Sequence, residues 1–153
     1  MTEGTMTPEQ RLQELNLELP HLRTPVGNYV ASVRAGNLLF TAGQGVDQYR
    51  GKLGRDLTVE EGYLSARQSM LNLLSAVKAE LGELGKVKRV VKILGFVNST
   101  EEFTEQPKVM NGASDLLVQV FGEKGKHGRS AVGMAQLPND TAIEIEMVLE
   151  IEE

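Results

Sequence analysis

A chain of 153 residues with 24% charged positions has the size and composition of one globular domain, long enough to bury about two-thirds of its unfolded surface. Its net charge of -5 excludes a surface built to neutralise phosphates, and the absence of cysteine excludes disulfides, thiol catalysis and zinc–thiolate sites. No apolar run approaches the ~20 residues of a membrane span, and residues 1–10 have neither a basic nor an apolar signal region, so no membrane partner and a cytoplasmic location are expected.

The first element in chain order is a short helix over residues 7–19, with Thr7 as N-cap and Pro8 in the first turn. Pro20 and Pro25 hold an extended connection behind it. Residues 1–25 therefore read as an N-terminal extension, better suited to covering an edge or an interface than to chemistry. Residues 29–34 and 38–42 form short strands around the turn Ala35-Gly36-Asn37, and 45–57 reads as an irregular ribbon. Thr58 and Glu61 have the spacing of a capping box. The helix they open keeps Met70, Leu74, Val77 and Leu81 on one face and stops around Gly82 and Gly85.

Residues 87–97 form a strand with too many apolar side chains for one exposed face, and Lys86, Lys88, Arg89 and Lys92 around it read as a solvated edge. A second helix spans 106–121, with Pro107 in its first turn and Met110, Ala113, Leu117 and Val120 turned inward. Ile143, Ile145, Met147, Leu149 and Ile151 then alternate with Glu144, Glu146 and Glu150, the period of a half-buried strand. A strand over 130–137 precedes it across Leu-Pro-Asn-Asp, so the two are expected to pair as a hairpin. The whole predicts an α+β architecture, a mixed sheet with both main helices on one face.

Several local patterns point to chemistry or away from it. Arg129 opens a strand after the turn Gly125-Lys-His-Gly, where a guanidinium can hold a small carboxylate with two parallel donors. Thr41-Ala-Gly-Gln-Gly45 lacks the ending of a phosphate loop, although Gly43 suits close backbone approach to a ligand. His21 and His127 have no metal-ligand spacing, so no metal site is expected. His127 beside Ser130 is set aside as a nucleophile and base, since neighbouring strand positions face opposite ways.

Arg129-Ser-Ala-Val-Gly-Met-Ala-Gln-Leu-Pro138, followed by Ile143-Glu-Ile-Glu146, resembles the C-terminal signature of the reactive intermediate deaminase (Rid) family, formerly YjgF or endoribonuclease L-PSP. Gly27-Asn-Tyr29, Gly36-Asn-Leu-Leu-Phe-Thr-Ala-Gly-Gln44, Ala66-Arg-Gln-Ser69 and the strand from Val90 to Val97 follow in that family's order. The likeness covers roughly residues 26–151, giving a family domain over 26–153 within a single-domain chain. It implies a chorismate-mutase-like fold and a homotrimer with ligand clefts between subunits. It further implies cofactor-independent hydrolysis of 2-imino or enamine acids to 2-keto acids and ammonia.

On that resemblance Arg129 matches the arginine that grips the substrate carboxylate and Glu144 the acid beside the attacking water. Tyr29, Ala42, Gly43, Asn111 and Ala131 fall at cleft positions. Ala131 stands where cysteine is frequent, Ala42 where serine is, and Asn28 replaces a common proline; these departures bear on substrate preference more than on the reaction. The older ribonuclease name finds no support in an acidic chain. A hairpin centred on Asn139-Asp140 would place Arg129 roughly 20 Å from Glu144, so a shared site would draw on two chains. The competing reading is a non-catalytic trimer that senses small carboxylates such as 2-keto acids.

Overall fold

The alternating apolar row of the last strand settles at the middle of the molecule. In the computed structural model, which describes residues 6–153, strands β1 (Ser32–Ala35), β2 (Leu38–Thr41), β3 (Val87–Asn98), β4 (Gly128–Met134) and β5 (Ile143–Ile151) form one sheet in the order β1-β2-β5-β3-β4. Ile143, Ile145, Met147, Leu149 and Ile151 are all buried, on the face that packs against helix α2 (Val59–Leu81). Helix α3 (Gln106–Phe121) packs beside α2, on the same side. Among the described residues no helix is long and apolar enough to cross a membrane.

The expected hairpin between the last two strands does not form. β3 lies between them, antiparallel to β5 and parallel to β4. The cause is the connection: 135–142 is no tight two-residue turn, and Asn139 and Asp140 both take left-handed conformations within a short 3-10 turn. The chain thereby crosses the end of β3, where Asn98 N–H donates to Ala142 O at 2.9 Å. β3–α3–β4 is instead a parallel strand–helix–strand unit. The strand expected over 130–137 runs Gly128–Met134, and the one expected over 29–34 begins only at Ser32, with Tyr29 in the bend before it.

The helices follow their caps. Thr58 Oγ1 accepts from Glu61 N–H at 3.1 Å, and Glu61 Oε1 accepts from Thr58 N–H at 3.0 Å. Gly82, at φ 87, ends α2. α2 and α3 meet at Gly112, where a Cβ would collide with the Tyr63 carbonyl. Helix α1 (Pro8–Glu14) has the same reciprocal cap between Thr7 and Gln10. It stops well before residue 19 because Asn16 turns left-handed at φ 58. Leu12 enters the core, and the Glu9 carboxylate accepts from Leu84 N–H at 2.8 Å and from Lys78 Nζ at 3.3 Å. Leu15, Leu17 and Leu19 cover the helix layer, and Ser75 Oγ donates to Pro20 O at 2.6 Å.

Among the described residues no helix covers the other face of the sheet. Register places Phe40, Val148, Leu94, Phe96 and Val132 there with Glu144, Glu146 and Glu150. Phe40 and Val132 each remain 41% exposed.

Candidate functional site

The residues singled out by sequence gather in two places, on opposite faces of the sheet. The first lies between α3 and the edge strand β4. Arg129 sits level with Ile93 and Met147, so its side chain rises on the helix face. Its Nη1 donates to Asn111 Oδ1 at 2.8 Å and to Ser114 Oγ at 3.1 Å, and its Nη2 to Pro107 O at 3.4 Å. Asn111 and Ser114 are three residues apart, one helical turn, and so present their polar ends together. Ala131, two residues beyond Arg129 on the same face, packs half-buried against the core.

Two residues of this cluster escaped the sequence reading. Ser114 Oγ lies 2.9 Å from His127 Nε2, and His127 Nδ1 lies 2.6 Å from Gly125 O. His127 therefore has a serine partner, but on α3 rather than at Ser130. The helical spacing of Asn111 and Ser114 was the available signal; the partnership with His127 needed the β3–α3–β4 topology.

The second place is a cavity of ≈ 250 Å³ beside β2 and β5, on the open-face side of Glu144. Tyr29, Gly43 and Glu144 line it together, with Arg23, Arg50 and Thr141 around them. Ala42 does not reach this lining; its N–H donates to Ala31 O at 2.8 Å and holds the strand entrance. A Cβ on Gly43 would stand 2.6 Å from Glu144 Oε2, so glycine is what lets the carboxylate lie against the backbone. The 43–46 loop is pinned from below by Ser69 Oγ to Gln44 O (2.7 Å) and Asn72 Nδ2 to Gly45 O (2.9 Å). Thr141 Oγ1 pins it from the side, accepting from Val46 N–H at 2.9 Å.

Burial, reinforced by the neighbouring Glu146, holds the Glu144 carboxyl above the ordinary carboxylate range. It accepts no hydrogen bond from any described residue. Arg23 donates to Gly45 O at 2.7 Å and pairs with Asp47 at 3.1 Å, while Arg50 donates to Asn139 O at 2.8 Å. Arg23 belongs to the N-terminal segment, where nothing in the sequence tied it to a cavity.

Arg129 and Glu144 do not meet within one chain. Glu144 aligns with Phe96 and Val132, so β3 and three residues along the strands intervene, on the order of 14 Å between Cα atoms. The side chains also point to opposite faces. Any site using both must close across two copies.

The fold is that of a chorismate-mutase-like α+β protein of the YjgF type. The family described as "YjgF/chorismate_mutase-like, putative endoribonuclease" matches residues 9–150, and the chain belongs to it. That span takes in most of the segment before residue 26. Protein TCP17 of Trypanosoma cruzi is 47% identical over 146 residues, covering 92% of this chain and 91% of that protein. The crystal structure of Atu1372 from Agrobacterium tumefaciens, a protein of unknown function, superposes with a TM-score of 0.89 at 43% identity, over 95% of this chain and 92% of its own. A Dermatophagoides farinae protein named 2-iminobutanoate/2-iminopropanoate deaminase is 27% identical over 141 residues, covering 89% of this chain and 95% of that one.

Proposed function

We propose that the protein hydrolyses reactive 2-imino acids to 2-keto acids and ammonia, in sites formed between the subunits of a homotrimer. One subunit supplies Arg129 with Asn111; the next supplies Glu144, Gly43 and Tyr29. The carrying observation is the division of labour itself. A guanidinium with an open edge and a half-buried carboxyl of raised pKa stand on opposite faces, each incomplete alone. The uncovered apolar residues of the open face supply a surface for the assembly. The relative named as an iminobutanoate deaminase supports the same chemistry.

In this reading Arg129 takes the substrate carboxylate through two parallel N–H donors. Glu144 accepts a proton from water as the oxygen bonds to the imine carbon. It returns that proton to nitrogen to give the carbinolamine, then takes the new hydroxyl's proton and passes it to nitrogen as the C–N bond breaks, so that the carbonyl forms and both water protons leave on ammonia. Burial raises its pKa, which strengthens the carboxylate as a proton acceptor. No redox step and no cofactor enter this balance. Tyr29 and the cavity wall shelter the reacting carbon, and Ala42 and Ala131 act through backbone and volume rather than polar side chains.

The test generates 2-iminobutyrate or 2-iminopropionate in situ and follows its loss with and without the protein. The expected result is accelerated loss, with the wild type sedimenting as a trimer and Arg129→Ala inactive but still trimeric. A wild type that binds 2-ketobutyrate and hydrolyses no imine establishes the sensor reading instead. A stable monomer removes the shared site.

A further inference from the structure

We infer that Ser114 and His127 are positioning residues that select which edge of the Arg129 guanidinium faces the ligand. The inference rests on the reading of Arg129 as the carboxylate grip. A guanidinium has five N–H donors and can offer a carboxylate either its end, through Nη1 and Nη2, or its side, through Nε and Nη2. Here both Nη1 protons are spent, one on Asn111 Oδ1 at 2.8 Å and one on Ser114 Oγ at 3.1 Å. Pro107 O takes one Nη2 proton at 3.4 Å. Nε–H and the second Nη2–H meet no acceptor among the described residues. The end of the fork is closed and the side is open.

Ser114 can serve Arg129 only if its own proton goes elsewhere, and His127 determines where. The 2.6 Å approach of Nδ1 to Gly125 O requires a proton on Nδ1, because a carbonyl cannot donate. In the neutral ring Nε2 is then an acceptor, and it takes the Ser114 hydroxyl proton across 2.9 Å. Donation thus runs one way, from Arg129 to Ser114 to His127, with the ring in turn donating to the Gly125 carbonyl. Each bond polarises the next. The ring is half-buried between α3 and the turn before β4, and Gly125 itself is buried, so the tautomer is fixed by backbone that cannot readily move. Removing Ser114 frees one Nη1 proton, and removing His127 loosens the serine that holds it, so that the guanidinium can turn its end toward the ligand.

The measurements are Kd for 2-ketobutyrate, KM and kcat for the imine, and the ¹⁵N resonances of His127 and Arg129. Ser114→Ala and His127→Leu are each expected to raise Kd and KM together by about five- to tenfold, within the net weight of one ordinary intramolecular hydrogen bond. His127→Gln, whose amide oxygen can accept the serine proton, should recover most of that loss. In an Arg129→Ala background Ser114→Ala should change Kd no further, since it acts through the arginine. The wild-type ring should show the Nδ1–H tautomer, and rotation about the Arg129 Nη1 bond should be slow and become fast in Ser114→Ala.

An Nε2–H tautomer, or equal Arg129 rotation with and without Ser114, overturns the inference whatever the enzyme does. So does a Ser114→Ala protein with unchanged Kd and KM. A wild type with the expected resonances that binds no keto acid and turns over no imine defeats the deaminase reading alone. Should Ser114→Ala fail to fold, the wild-type resonances and His127→Gln decide the matter.

Discussion

Around Arg129 three of the five N–H donors are committed: Asn111, Ser114 and Pro107 hold the guanidinium, and His127 backs the serine. Among the described residues nothing donates to Glu144; the carboxyl lies half-buried against Gly43, with Glu146 acting on its charge. One group is held by its hydrogen bonds, the other is left without any among the described residues. A permanently charged group that must orient a substrate gains from being held, since its charge is never at risk. A group that must take and release a proton gains from a weakly solvated, unbonded state that brings its two forms closer in free energy.

The largest effect should come from splitting the halves between chains. Arg129→Ala and Glu144→Gln should each abolish turnover alone. When equal amounts are unfolded and reassembled together, about a quarter of the inter-subunit sites should carry both wild-type residues, with activity restored in proportion. No recovery in verified mixed trimers would place both residues of one site in one chain.

Gly43→Ala comes next. Its Cβ displaces the Glu144 carboxyl, so turnover should fall roughly 10- to 100-fold while keto-acid affinity, held by Arg129, changes little. Equal losses in binding and turnover would show that Gly43 shapes the grip as well as the acid.

A smaller effect tests the deprived carboxyl through stability. The folded pKa of Glu144 is raised, so its stabilising contribution is intact below the unfolded value of about 4.3 and is lost as pH rises through the folded one. Glu144→Gln should accordingly leave Tm unchanged near pH 4 and raise it at pH 7–8. A lowered Tm at neutral pH would place a cation from the neighbouring subunit against Glu144.

The smallest expected change lies away from both halves. Burial pushes the Glu9 carboxyl up, but bonds from Leu84 N–H, its own N–H and Lys78 outweigh this and hold it below the ordinary range. Its contribution is present above the unfolded carboxylate pKa and fades as pH falls through the lowered value. Glu9→Gln should lower stability by about 0.5–1 kcal/mol at neutral pH and leave turnover intact. Lost activity would tie α1 to the site.

The sequence carried α2 and α3 well because their start and stop signals are local: Thr58 with Glu61, Pro107 in the first turn of α3, and Gly82 each act within a turn. It carried strand faces equally well, since the alternation in β5 requires only a period of two. Strand partners were another matter. The short link through Leu137-Pro-Asn-Asp140 suggested a hairpin, while strand, helix and strand over 87–134 already held the pattern of a parallel crossover. The site divided along the same line. Tyr29, Gly43 and Glu144, each placed by a local strand or turn pattern, line one cavity. Ser114 and His127 followed no such pattern, because their meeting depends on where β4 lies beside α3. Arg23 reaches its cavity only through the packing of the N-terminal segment across α2, which no local pattern encodes.

β5 lies between β2 and β3, yet it follows every other strand in the chain. During synthesis the β1–β2 ribbon and the β3–α3–β4 unit are both complete before their common neighbour exists. Each then holds an open hydrogen-bonding edge toward a gap, with α2 lacking much of the apolar floor it will cover. Ordering of the sheet must therefore wait for residues 143–151 and occur in one cooperative step, whatever local structure forms earlier. The strand that carries Glu144 also locks the two halves of the sheet together, so a chain in which that acid has found its cavity is one whose folding is complete.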